Sequence, residues 1–330
     1  MRTLIIGDIH ISNKDSLLRE AQIDCLAKIF KEAKPDEVIQ LGDFLDFRKP
    51  SPEALLAAKS IIDFWSEKSR VVILRGNHCA STKADDGVTA LSVFETLKVD
   101  IITHTEVDHL MKRVYIPHYE NAKLIIKTLK GCPKGYTVFG HFGYFGCLNS
   151  VGDHDFDINV DSFRNNTILG HIHRKNRMSF ECDGEEKQVL ILGTPYTINF
   201  GESGKENFYA ILEDDKLSLH EVLHGPRHCV VKNKDLADCV EYINDENYYT
   251  MLRVVLEAGE TKAALDDIDV ASIDIKYAPA FDEEKISNYD PTRDLFHLND
   301  VVIADYIESA NSSIEKDKLM EGYNLLKYEN

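Results

Sequence analysis

The feature that most constrains this chain is a recurrence. Five times, a short apolar run stops beside a glycine and a residue able to bind a cation. Thr3–Gly7 leads into Asp8-Ile9-His10, and Glu37–Leu41 into Gly42-Asp43-Phe44-Leu45-Asp46. Val71–Leu74 leads into Gly76-Asn77-His78, Thr137–Phe139 into Gly140-His141, and Thr167–Leu169 into Gly170-His171-Ile172-His173. Short apolar runs bounded by such turns read as buried strands. Residues at the ends of neighbouring strands converge on one edge of an open sheet, where α/β proteins place ligands. Taken singly, a strand-end aspartate reads as a cap or turn residue and a lone histidine as a surface or core residue. Five such motifs in one order are not explained that way.

Helical spacing of apolar residues over Leu17–Ala33, and helical patterns over Glu53–Trp65 and Asn121–Leu129, alternate with these runs and predict an α/β sandwich. Strands dominate from about Val99: Ile101–Thr103, Val114–Ile116, Val189–Leu192, Phe208–Leu212 and Leu217–Val222, with hairpin turns at Asp183-Gly184 and Asp214-Asp215. After His224-Gly225-Pro226 a small α+β pattern follows: helices near Asp235–Ile243 and Thr261–Leu265, and strands at Tyr249–Leu256 and Val270–Tyr277. Residues 281–297 are acidic and turn-rich and read as a linker, and 298–330 as terminal helices. The expected divisions are 1–225, 226–280, 281–297 and 298–330.

Carboxylate, imidazole and amide oxygen together suit divalent cations such as Mn²⁺, Fe²⁺ or Zn²⁺. A shared carboxylate can bridge two ions roughly 3.5–4 Å apart, the spacing used in phosphoryl transfer.

The ordered set DxH, GDxxD, GNH, GH and GHxH resembles that of the calcineurin-like metallophosphoesterases, from Met1 to about Val222. The resemblance implies a four-layer αββα sandwich with a small α+β capping domain, 226–280, that contacts DNA, and with C-terminal helices. It implies a site for two divalent metal ions, Mn²⁺ preferred. Asp8, His10, Asp43 and His173 would hold one; Asn77, His141 and His171 would hold the other, with Asp43 bridging. His78 would assist the leaving oxygen, with Asp46 beside it as a second catalytic candidate. Asp43-Phe44-Leu45-Asp46-Phe47-Arg48-Lys49-Pro50-Ser51, and Leu192-Gly193-Thr194-Pro195-Tyr196 followed by Asn207-Phe208-Tyr209, are similar to segments of SbcD-type DNA repair nucleases and phage recombination endonuclease subunits. This implies a 3′–5′ exonuclease and single-strand endonuclease in an SbcCD-like break-processing and recombination complex. Its terminal helices would dock on an SbcC-type coiled-coil ATPase, and the chain would form a homodimer. One position departs from the pattern: Cys79 follows His78 where the family usually has aspartate. His78 then needs another acid, with Asp46, Asp85 and Asp86 as candidates.

The net charge of −18 looks wrong for a DNA enzyme, but it is unevenly spread. Residues 235–330 carry 23 acidic and 8 basic side chains, a balance of −15, which leaves only −3 for the first 234. A locally basic rim is compatible with that, and Arg48, Lys49, Arg174, Lys175 and Arg177 are expected to meet backbone phosphates, which carry no sequence information. His118, Tyr119 and Tyr144 are expected along the approach. Unaided DNA affinity should be modest. No apolar run approaches the roughly 20 residues of a membrane span. Seven scattered cysteines without a CxxC pair fit a reducing cytoplasm, that of the host if the chain is phage-encoded. Two alternatives stand beside the nuclease reading: an enzyme of the same fold acting on small phosphodiesters or nucleotides, and a weakly active structural subunit bridging the ATPase.

Overall fold

The computed structural model describes residues 1–148, 154–155, 158–257, 260–261 and 263–277. The first of two six-stranded sheets runs, in spatial order, β14 (Lys216–Glu221), β13 (Phe208–Glu213), β1 (Arg2–Ile6), β2 (Glu37–Gln40), β3 (Arg70–Leu74) and β4 (Val99–Ile102). The second runs β11 (Asn176–Cys182), β12 (Glu185–Ile191), β10 (Thr167–Gly170), β7 (Thr137–His141), β6 (Arg113–Ile116) and β5 (Glu106–Asp108). A two-residue ribbon, β8 (Cys147–Leu148) with β9 (His154–Asp155), stands apart from both.

Strands β1 to β4 are mutually parallel, as are β6, β7, β10 and β12. All eight therefore finish at one edge of their sheet. Parallel neighbours need crossovers. Helices α1 (Ser16–Ala33), α2 (Pro52–Ser66) and α3 (Ala122–Gly131) supply three of them. Each helix starts where a side chain accepts an otherwise unpaired backbone N–H. Asp15 accepts from Leu18 N at 3.0 Å, Ser51 from Ala54 N at 3.2 Å, and Asn121 from Lys123 N at 3.1 Å.

The parallel strands are apolar on both faces because both are covered. Leu4, Ile6, Val38, Val71 and Ile73 pack outward with Leu26, Ile29, Ile61 and Trp65 of α1 and α2. The residues between them, Ile5, Ile39, Val72 and Leu74, point inward and meet Phe139 and Ile168 of the second sheet. Val138 and Leu169 turn the other way, onto Ile125 and Leu129 of α3. The layers are thus helix, sheet, sheet, helix: the α/β sandwich that the alternation in the sequence predicts, in the four-layer form that the resemblance implies. Both hairpin turns also form, with positive φ at Asp183, Gly184, Asp214 and Asp215.

Some expectations need correction. Strands β5 and β11 were not predicted; β11 alternates half-buried and exposed residues and lacks an apolar run. Beyond residue 224 the structure forms a three-stranded parallel sheet, β15 (Gly225–Lys232), β16 (Tyr248–Leu256) and β17 (Ser272–Tyr277), the first of them also unpredicted. The helix expected near Asp235–Ile243 is broken into 3₁₀ turns at Asn233–Asp235 and Ala237–Cys239 and a single turn, α4 (Val240–Ile243). The helix expected near Thr261–Leu265 is absent among the described residues. Instead the Asn233 amide donates to Thr261 O at 3.1 Å and accepts from Ala263 N at 2.9 Å, taking backbone groups a helix would use. Five residues are too few to hold a helix against that competition. The linker 281–297 and the terminal helices 298–330 lie outside the described residues. No helix of the described residues is long and apolar enough to cross a membrane.

At the starting ends of the strands, Arg113 of β6 reaches across to Glu37 of β2 in an ion pair, both side chains buried. Arg113 also donates to Thr3 Oγ1 at 3.1 Å, and that hydroxyl donates to Glu37 at 3.0 Å. Removing one partner of such a pair strands a buried charge. Arg113→Ala is expected to lose about 3–5 kcal/mol in urea unfolding, whereas the double change Glu37→Leu with Arg113→Met should recover most of it.

Candidate metal centre

At the opposite edge the five motifs meet. The loop after β1 is zipped to the loop after β2 by backbone bonds from Ile9 N and His10 N to Asp43 O, at 3.1 and 2.9 Å, and from Ile11 N to Phe44 O at 3.0 Å. Gln40 holds both loops from below, donating to Gly7 O at 3.1 Å and accepting from Gly42 N at 3.1 Å. Gln22 of α1 donates to His10 O at 2.9 Å, and Tyr196 donates to Ile9 O at 2.7 Å. This bracing is needed because His10, Asp43 and His171 all hold positive φ, at 49°, 50° and 83°. Such conformations cost on the order of 1–3 kcal/mol each and persist only where the surroundings enforce them. A side chain at Gly76 would fall on the Asp43 carboxylate, so that motif needs glycine for close approach.

Two donor sets result, and each draws on both sheets. Asp8, His10 and His173 present ligand atoms to one another, with His173 Nε2 3.7 Å from Asp8 Oδ2. Asp43, His141 and His171 form the second set, and Asn77 Oδ1 lies 3.0 Å from His141 Nε2 and 2.9 Å from His171 Nδ1. Asp43 Oδ2 sits between the sets, 3.7 Å from His10 Nε2 and 3.3 Å from His141 Nε2. A third group, His10, Asp46 and His78, opens outward, with Asp46 Oδ1 3.4 Å from His10 Nδ1 and the His10 and His78 rings 4.8 Å apart.

The chemistry of these donors fits divalent cations. Asp8 and Asp43 are at most 1% exposed, and burying carboxylates calls for compensating positive charge. Burial alone would raise the Asp43 carboxyl, yet His141, His10 and His78 hold it well below the usual carboxylate range. Burial would likewise lower His141, but Asp43 and Asp8 pull it up to about 9. Both ring nitrogens of His10 are buried and make no hydrogen bond, which suits a donor able to hold a cation. The outer nitrogens are fixed in the way that orients metal-binding imidazoles. His141 Nδ1 donates to Leu41 O at 2.8 Å, and His173 Nδ1 bonds Glu202 Oε1 at 2.7 Å.

Glu202 was missed in the sequence. It is fully buried, and its carboxylate also accepts from Ile198 N at 2.8 Å and Asn199 Nδ2 at 3.2 Å. It lies 29 residues beyond His173, in the polar, glycine-containing stretch Asn199-Phe200-Gly201-Glu202-Ser203-Gly204-Lys205-Glu206, where nothing local sets it apart from Glu206.

The orientation of His78 also differs from expectation. Its Nδ1 donates to the backbone carbonyl of Asp46 at 2.7 Å, rather than to a carboxylate. Asp85 instead accepts from Glu120 N and Asn121 N, and Asp86 from Val88 N. Cys79 is a core residue whose thiol burial pushes up to about 12. A carbonyl therefore fixes the ring that the usual aspartate would have oriented.

The predicted rim residues divide. Lys49 and Arg174 are exposed beside the motifs. Arg48 lies 3.5 Å from Glu120, and Lys175 pairs with Glu206 at 3.3 Å while its ammonium sits 3.6 Å over the Phe208 ring. Arg177 is not brought to this edge: it lines a cavity of about 550 Å³ with Thr137 and Thr167, at the far ends of β7 and β10. His118 is buried 5.8 Å from the His171 ring, whereas Tyr119 and Tyr144 are core residues.

The sequence profile of the calcineurin-like phosphoesterases matches residues 1–253. The chain belongs to that family. Its members are hydrolases that use divalent metals, in keeping with the donor sets of this phosphoesterase. No curated protein matches the chain. Among solved structures, the crystal structure of Pseudomonas putida nuclease MPE is similar at 18% identity, covering 62% of this chain and 83% of that one, with a TM-score of 0.31. A likeness that slight carries no functional argument.

Because Asp43 Oδ2 faces a member of each set, Asp43→Asn is expected to drop bound metal from about two ions per chain to below one. Elemental analysis after loading with Mn²⁺ and desalting checks this.

Proposed function

We propose that this phosphoesterase is a DNA phosphodiesterase, a 3′–5′ exonuclease and single-strand endonuclease serving an SbcCD-like break-processing and recombination complex. The observation that carries the phosphodiesterase reading is Asp43 Oδ2, placed between two donor sets beside an outward-facing imidazole. Divalent cations in such a site offset phosphoryl charge and lower the pKa of water. Manganese suits the mixed carboxylate, amide and imidazole donors.

The chain's own residues then have distinct tasks. With Nδ1 committed to Asp46 O, the exposed His78 ring has Nε2 free to carry a proton to the leaving 3′ oxygen. Asp43 Oδ1 accepts from His78 N at 2.8 Å, which fixes the ring's distance from the donor sets. Lys49 and Arg174 are available to backbone phosphates without regard to sequence. The DNA assignment rests on the resemblance of residues 43–51 and 192–209 to SbcD-type nucleases. The strongly acidic residues 235–330 would oppose DNA, so a coiled-coil ATPase partner would supply most of the affinity, with the chain as a homodimer.

Cleavage of end-labelled single-stranded and duplex DNA by the purified chain with Mn²⁺ tests this. Wild type should cut, and a chelator should stop it. His78→Ala should lower kcat by about 10²–10⁴-fold. Cys79→Ala should stay within about threefold, because a carbonyl rather than residue 79 orients the ring. Hydrolysis of bis-p-nitrophenyl phosphate with DNA left intact, even with the ATPase present, would instead assign a small phosphodiester substrate.

A further inference from the structure

We infer that Arg253, on the three-stranded sheet, is a positioning residue for the first donor set, acting through Phe200 and Glu202 on His173. The inference rests on the metal-site reading above and adds to it a residue that touches neither donor set nor substrate.

The contacts form an unbroken series. Side chains on the small sheet alternate, so Cys229, Val231, Leu252 and Val254 enter its own core. His228, Arg253 and Asp274 serve other contacts. Arg253 and Asp274 are paired in register and joined at 2.7 Å, which fixes the guanidinium. Its Cζ lies 3.9 Å over the Phe200 ring, and the His228 ring meets Phe200 edge-on at 4.9 Å. Phe200 begins the one-turn 3₁₀ segment Phe200–Glu202.

Strand β15 grips that segment at both flanks. His228 N donates to Thr197 Oγ1 at 2.6 Å, and Val230 N donates to Ser203 Oγ at 2.8 Å. The last residue of the turn, Glu202, is fully buried and bonded to His173 Nδ1. A shift of Phe200 therefore moves Glu202 relative to His173. The imidazole of His173 is set by that carboxylate, and partners of this kind typically govern metal affinity by about 10–100-fold. Plain packing would also explain a cation over an aromatic ring. The distinction is whether the contact is felt at one donor set alone.

The test is calorimetric titration of the metal-free full-length chain with Mn²⁺, repeated with Co²⁺ to follow its visible spectrum. Glu202→Gln should weaken one of two sites by about 10–100-fold. Arg253→Met, which keeps the aliphatic stem, should weaken the same site by roughly 3–10-fold and leave the other unchanged. The Co²⁺ spectrum of the affected site should shift in both variants. If Arg253→Met lowers the melting temperature but leaves both affinities at wild type, or weakens both sites alike, the contact is packing only and the inference is overturned. Should Arg253→Met fail to fold, Phe200→Leu is read by the same criteria. A wild-type chain that takes up no cation overturns the metal-site reading itself, an outcome distinct from failure of the clamp.

Discussion

The carboxylate of Asp43 is the shared constraint of this molecule. It is almost completely buried, it faces imidazoles from both sheets, and its own backbone is held left-handed. Its burial and its strained backbone are costly alone, the facing imidazoles offset the burial, and together these conditions dictate much of the surrounding sequence. Gly76 must lack a side chain for the next loop to approach. Gln40 and Gln22 must be buried polar residues because the strained loops need bonds that solvent cannot reach. Strand order follows the same demand, since only parallel strands with a common finishing edge can deliver Asp8, Asp43 and Asn77 from one sheet and His141, His171 and His173 from the other.

That demand is why so much of the site was legible. A metal ligand at a strand end leaves a local signature, an apolar run followed by a small turn residue and a donor. The residues that orient ligands leave none. Glu202 bonds His173 from a separate turn, and Asn233 replaces a helix by binding backbone 28 and 30 residues away. The carbonyl of Asp46 has no side-chain identity to read at all. Strand β11 was hidden for a different reason: as an edge strand half open to solvent, it needs no apolar run.

Sequence proximity proved a poor guide to the rim. Arg174 and Arg177 are three residues apart, yet β11 runs away from the metal edge between them, and Arg177 reaches the far end of the sandwich. Lys175 is drawn off by Glu206 and Phe208. Few basic side chains remain beside the donor sets.

The two ends of the sandwich are fastened by different means. At one, Arg113 and Glu37 join the sheets through a bond carried within the chain. At the other, the set of Asp8, His10 and His173 and the set of Asp43, His141 and His171 each draw on both sheets, so a cation held there would tie them together like a clasp. Ions that served chemistry there would then also serve the fold. Anything that binds only the folded state adds RT ln(1 + [L]/Kd) to its stability. The resistance of this chain to unfolding would then not be a fixed property. It would rise and fall with the free metal around it, and in scarcity the edge that carries the donor sets would be where amide hydrogens begin to exchange first.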